Sequence, residues 1–351
     1  MALLTFKRGL VVSGVLMAAL AVGTTVVWQS MVARLDVAHD GFGGNGVFVT
    51  VEVGDSTAVI ARRFVEAGVV ADRLMFRFAV WYSGADRGLQ AGEYFIDQGL
   101  SPVDLVDKVA NGRVFLRGIT FPEGLTLTQM ASIFETEGFG QGDAFTAASE
   151  RVELITDLDP NATNLEGYLF PETYSLPRDA TADDLVEAMV DQFRVVFDEE
   201  LQARAVERQM SVRELVTLAA IIEKETGSVE EHPLVSAVFN NRLRLGMPLQ
   251  SDPTVIFSLE QDGLYDGNLT RDNLQHDSPY NTYRYSRLPP GPIAAPGGAA
   301  LRAALAPADV SYLYFVSRND GTHAFANTLQ EHNRNVREFQ INYFRRQRSS
   351  Q

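Results

Sequence analysis

The sequence predicts an α+β protein in three parts: an N-terminal transmembrane helix, a small α+β module and a larger mixed α+β domain. Three observations carry that expectation. An uncharged run from Gly9 to Trp28, GLVVSGVLMAALAVGTTVVW, has the length a helix needs to cross a bilayer. Short stretches of period-two alternation are interspersed with longer stretches of helical period. At 351 residues, 46% of them hydrophobic, the chain exceeds one typical domain and can bury a sizeable core.

Lys7 and Arg8 precede the apolar run, and the next charge is Arg34. By the positive-inside rule the N-terminus stays cytoplasmic and the remainder lies beyond the membrane. Ala19-Leu20-Ala21 would suit a signal peptidase, but the apolar run continues past it, which favours an uncleaved anchor. The anchor takes residues 1–33. Residues 34–46 follow as a flexible linker, and their DGFGGNG stretch lacks the strand before and helix after that a dinucleotide fingerprint requires.

Residues 47–117 read as the small module. Val49, Val51 and Val53 alternate as in a half-buried strand, and Gly54-Asp55 supplies a turn. Ser56 can cap a helix that Gly68 ends, a second helix runs from about Asp72 to Tyr82, and LQAGEYFI returns as a strand. Ser101-Pro102 starts a further helix ended by Asn111-Gly112, and RVFLRGITF is the strand leading out.

The larger domain, residues 118–346, alternates helices with short strands and Pro-rich loops. Thr126 with Gln129 and Ser211 with Glu214 have capping-box spacing. Pro233 suits the first turn of a helix ending near Gly246, and YLYFVS and HAFA flank Asn319-Asp320-Gly321 as a hairpin. A final helix carries Phe339 and Phe344, and residues 347–351 form a short tail after a basic FRR stretch.

Composition narrows the chemistry. A net charge of −15 argues against gripping a nucleic acid through the overall field. With no cysteine, disulfides and thiolate metal sites are excluded. His39, His232, His276, His323 and His332 show no HExxH spacing, and neither a nucleophile-elbow serine nor a phosphate loop is present, so no metal and no cofactor are expected.

The segment SVRELVTLAAIIEKETGS, Ser211 to Ser228, has the period of an amphipathic helix. Leu215, Leu218, Ala219 and Ile222 form its buried stripe, Thr217 and Lys224 point away, and Glu223 falls on the shoulder. A carboxyl held against apolar groups resists ionisation and can serve as a general acid. A boundary glutamate on a helical face would read the same way, and Glu225 and Glu230 suit that ordinary, solvated role.

LAAIIEKETG, VFNNRLRLGMPLQSDPTVIF, SPYNTYRYSRLPPGPIAAPG and YLYFVSRNDGTHAFANTLQEHN, with LEGYLFPETY upstream, resemble in order and spacing the endolytic murein transglycosylases of the MltG/YceG type. VEVGDSTAVIARRF resembles the start of a LysM module, a fold associated with N-acetylglucosamine polymers. The resemblance implies a YceG-like catalytic domain behind a LysM-like module. It implies a membrane-anchored enzyme outside the inner membrane that cuts peptidoglycan glycan strands between N-acetylmuramic acid and N-acetylglucosamine, coupled to the peptidoglycan synthase machinery. The catalytic glutamate falls on Glu223. Asn241, Arg242, Gln250, Asp252, Asn281 and Tyr283 become candidate sugar contacts, with Glu166 as a possible second carboxylate. Each has a structural alternative: Asp252 before Pro253 suits a helix cap, Asn281 a turn, and Glu166 a structured loop beside Gly167 and Pro171. A non-catalytic, wall-binding scaffold is the alternative from another functional class.

Overall fold

The computed structural model describes residues 2–343 and 345, so the predicted tail, like Phe344, lies outside the described residues. The chain divides into two units, Met1–Arg117 and Gly118–Gln351.

In the first unit α1 (Ala2–Leu35) is continuous, and its Ser13–Leu35 portion is long and apolar enough to cross a membrane. β1 (Val47–Val51) pairs antiparallel with β2 (Gly92–Ile96), Val47 opposite Ile96 and Val51 opposite Gly92. Between them run α2 (Thr57–Glu66), capped by Ser56, and α3 (Arg73–Tyr82), capped by Asp72; these hydroxyl and carboxylate oxygens accept from otherwise unpaired first-turn amides. α4 (Pro102–Ala110) follows, capped by Ser101. Val49 and Val51 are buried as the alternation predicts, but Val53 is 94% exposed, because the strand stops at Val51 and the chain turns at Gly54, φ +90°.

Within the 34–46 segment the Gly41 N–H donates to Gly68 O at 3.0 Å, and His39 bridges to Leu100. Gly41 and Gly68 approach so closely that a side chain on either would meet the other's backbone. The strand leading out begins only at Arg117; before it, the Phe115 N–H donates to Glu93 O at 2.7 Å.

In the second unit β3 (Arg117–Thr120) pairs with β4 (Thr173–Leu176), and between them lie α5 (Leu127–Thr136) and α6 (Gly142–Ala148). α7 (Ala182–Val196), α8 (Glu199–Glu207), α9 (Val212–Glu225), α10 (His232–Arg244), α11 (Asp252–Gln261) and α12 (Gly298–Leu305) build most of the core. The hairpin β5 (Tyr314–Ser317) and β6 (His323–Ala326) turns through Asn319 and Gly321, both at positive φ. α13 (Leu329–Val336) passes into a π-helical stretch, Arg337–Asn342. Both predicted capping boxes form, at Thr126/Gln129 and Ser211/Glu214.

α9 is the axis of this unit. It packs against α8, α10, α11 and α12, so every residue from Leu215 to Ile222 is buried. Thr217, predicted on an outer face, is wholly buried for that reason. Between Leu215 and Ile222 the helix has no solvent stripe, and its last turn carries two half-buried glutamates on opposite sides.

Candidate active site

The two glutamates, Glu223 and Glu225, are separated by about 200° around α9, so they meet different surroundings. Glu223 Oε2 accepts the Gly297 N–H at 3.0 Å. Burial raises its pKa; the Gly297 amide offsets part of that rise, and the nearby Glu123 carboxylate adds to it. Glu123 lies in the FPEG segment after β3, where a side chain on Gly297 would run into its carboxylate. The same segment is held by Lys224 Nζ donating to Gly124 O at 2.9 Å and by the Gly124 N–H donating to Ala295 O at 2.8 Å.

Glu225 has the richer environment. Its Oε1 accepts the Ser251 hydroxyl at 2.5 Å. Burial pushes its carboxyl up to about 7; the Ser251 bond and the Arg242 guanidinium oppose the rise, and the Asp252 carboxylate adds to it. Asp252 is exposed at the start of α11, and its Oδ1 accepts the Tyr283 hydroxyl at 2.5 Å. Burial and that bond together raise the Tyr283 phenol well above its ordinary range. Glu225, expected to be a solvated boundary residue, is therefore the carboxyl around which the predicted sugar contacts gather, while Glu230 is exposed as expected.

A buried hydroxyl network holds the two loops that meet here. The Ser251 N–H donates to Thr282 Oγ1 at 2.9 Å, Thr254 Oγ1 donates to Ser251 O at 2.7 Å, and the Thr254 and Thr282 hydroxyls lie 2.8 Å apart. Gln250 is exposed in a left-handed conformation, φ 51°, with its N–H on Thr282 O. Asn281 is fully buried; its amide donates to Leu274 O and His276 O, and its Oδ1 accepts the Tyr283 N–H, so it shapes the turn that presents Tyr283.

Asn241 and Arg242 act as clamps. Asn241 Nδ2 donates to Val310 O and Tyr312 O. Arg242, only 7% exposed, donates to Leu313 O and Leu249 O at 2.7 Å each and to Pro248 O at 3.3 Å, with its guanidinium over the Tyr314 ring. These donors are turned to main-chain carbonyls, and Asn241 Oδ1 accepts from the Arg244 guanidinium at 3.3 Å.

Glu166 stands apart from this cluster. It is 6% exposed, its Oε2 accepts the Leu127 N–H at 3.2 Å, and its Oε1 is buried without a partner. Burial, with a further push from Glu260, raises its pKa to about 8 against the opposing Leu127 bond and the charge of Lys224. The folded state therefore holds a proton that the unfolded chain releases above about pH 4.5. Stability contributed by this group is full below that pH and is lost as pH rises towards 8. In Glu166→Gln, thermal unfolding followed from pH 5 to 8 is expected to show a shallower decline, by up to about 1.4 kcal/mol per pH unit. An unchanged slope would refute the neutral carboxyl.

Sequence reasoning missed Glu225, Ser251 and Glu123. Glu225 sits two residues beyond the residue that was chosen, and the assumption of one apolar face assigned it to solvent. For Glu123 the available signal was an acid between Pro122 and Gly124 directly after a predicted strand.

Comparison with known proteins agrees with this architecture. A Bacillus subtilis (strain 168) protein named endolytic murein transglycosylase is 32% identical over 304 residues, covering 82% of this chain and 83% of its own. A Streptococcus pneumoniae serotype 2 protein of the same name is 31% identical over 335 residues; the match covers 83% of this chain and 58% of that longer protein. The crystal structure of a yceG-like protein from Listeria monocytogenes superposes with a TM-score of 0.56 at 29% identity, covering 83% of this chain and 99% of that one. The YceG-like family pattern matches residues 49–338, a span that includes α9, its two glutamates and both loops packed against them, and the chain belongs to that family.

Proposed function

We propose that this chain is a membrane-anchored lytic transglycosylase that cuts peptidoglycan glycan strands internally, between N-acetylmuramic acid and N-acetylglucosamine. The observation that carries the reading is a carboxyl lifted to about 7 at the end of a buried helix, with Ser251, Asp252 and Tyr283 around it. The names of the relatives support the substrate class. In this reaction Glu225 protonates the glycosidic oxygen as the C1–O bond breaks. The C6 hydroxyl of the same muramic acid then bonds to C1, and its proton returns to Glu225. A 1,6-anhydro end forms, no water is consumed, and one carboxyl suffices because the nucleophile belongs to the substrate.

Glu225 is preferred to Glu223 because the exposed Asp252 and the Tyr283 hydroxyl adjoin it, whereas Glu223 is tied to the Gly297 amide. The raised pKa of Glu223 beside Glu123 supports a second reading in which Glu223 donates the proton. Gln250, Asp252 and Tyr283 are proposed to meet the sugar, and Asn241, Arg242 and Asn281 to hold the loops that present them.

The strand-helix-helix-strand order of residues 47–96 supports reading residues 47–117 as a LysM-like glycan-holding module ahead of a catalytic domain at 118–346. The apolar helix supports a single-pass anchor in the inner membrane, and Lys7 with Arg8 supports a cytoplasmic N-terminus. A partner in the peptidoglycan synthase machinery completes the proposal.

Mass spectrometry of digested sacculi tests it. Anhydro ends support the transglycosylase, reducing ends mean a hydrolase, and unchanged glycan means a scaffold. Because the acid must carry its proton, the rate is expected to fall roughly tenfold per pH unit once pH passes well above 7.

A further inference from the structure

α3, RLMFRFAVWY, is apolar on two faces. Phe76, Ala79 and Val80 are fully buried in the first unit's core. On the other side Leu74, Phe78, Trp81 and Tyr82 recur at helical spacing, and Leu74, Trp81 and Tyr82 are 66%, 59% and 51% exposed. Large contiguous aromatic surface left in water is unfavourable and marks a contact.

The neighbouring element shows what the contact is. Trp28 of α1 stands edge-on to both Phe78, 5.5 Å between ring centroids, and Trp81, 5.9 Å. Phe78 in turn stacks on Trp81 at 5.8 Å and meets Tyr82 at 6.1 Å. Trp28 stands twenty residues along the uncharged run that begins at Gly9 and continues to Ala33, and those twenty residues rise about 30 Å, the thickness of a hydrocarbon core. Leu35, about 10 Å further along the axis, is already buried in the core of the unit. The folded unit therefore begins within about two helical turns of the point at which the thickness of a hydrocarbon core has been spanned.

Resting on the reading of α1 as a membrane anchor, we propose that α3 lies in the bilayer interface beside the span, its Leu74–Phe78–Trp81–Tyr82 face in contact with lipid. Tryptophan and tyrosine favour this depth because the ring is apolar and the N–H or O–H reaches the headgroups. Arg73 and Arg77 are exposed on the same helix, which carries no acidic residue, and their long stems let the guanidinium groups reach lipid phosphates. Trp28 and α3 together form a collar that fixes the height and tilt of the first unit on the membrane surface.

The chain has two tryptophans, Trp28 and Trp81, so each can be made the sole reporter. The full chain is reconstituted in phosphatidylcholine/phosphatidylglycerol vesicles whose acyl chains are brominated either near the headgroup or near the bilayer centre. In Trp28→Phe, emission from Trp81 is expected to fall about twofold with bromine near the headgroup, less with bromine at the centre, and to resist aqueous acrylamide. Quenching of Trp81 by acrylamide but not by bromine, while Trp28 in Trp81→Phe is quenched by bromine, overturns the interfacial helix and leaves the anchor standing. If bromine quenches neither tryptophan, the anchor reading itself fails and takes the inference with it. Shielding of Trp81 from both quenchers means that a second copy or another protein covers this face, which also overturns the proposal.

Discussion

Glu225→Gln is expected to lower the rate of glycan cleavage about 10³-fold or more while leaving the protein folded. Glutamine has the size of the glutamate it replaces, and its carbonyl oxygen still accepts the Ser251 hydroxyl. It has no proton to give to the leaving oxygen and no basicity with which to take one from the C6 hydroxyl. Binding is preserved, so the loss should appear in kcat, with KM little changed. Glu223→Gln is the matched comparison. Its side chain keeps the bond from the Gly297 amide, and the rate is expected to stay within about tenfold of the parent. The opposite ranking, an inert Glu223→Gln beside an active Glu225→Gln, transfers the acid to Glu223. Circular dichroism and the midpoint of thermal unfolding verify that both variants fold.

Arg242→Ala acts on the scaffold around that acid. The guanidinium holds Leu313, Leu249 and Pro248 carbonyls at once, joining α10 to the approach of β5 and to the loop before α11. Truncation leaves these acceptors without their donor and removes the group over Tyr314, a loss of about 3 kcal/mol or more. For a unit of this size that is a fall in Tm of roughly 6–12 °C. Lysine is expected to restore little, since one ammonium cannot reproduce the planar fork. The guanidinium charge also holds the Glu225 carboxyl down, so the pH at which activity declines should move upward in folded Arg242→Ala. A direct sugar contact would behave differently, raising KM with Tm unchanged.

The contrast between Arg242 and Tyr283 shows what a motif can and cannot convey. Both stand in long matching stretches, and both have side chains able to bind a saccharide. Arg242 is directed inward by its place on α10 and its donors meet main-chain carbonyls, whereas Tyr283 is presented by a turn that Asn281 holds and reaches the exposed Asp252. Residue type and order do not distinguish these fates. The local elements were more legible: the capping boxes at Thr126 and Ser211, the βααβ order of the first unit and the hairpin at Asn319-Asp320-Gly321 each depend on neighbours a few positions away. Where local reasoning failed, at Val53 and Thr217, the cause was the early end of a strand or burial by distant chain.

The sequence by itself determined the apolar span, the fold class, the order of elements and the family, because these follow from periodicity, capping chemistry and long motifs in register. Only the tertiary structure decided which glutamate at the end of α9 lies beside Ser251, Asp252 and Tyr283. A carboxyl's proton affinity is set by the groups packed around it, and around Glu225 those groups, Arg242, Ser251 and Asp252, come from later elements of the chain.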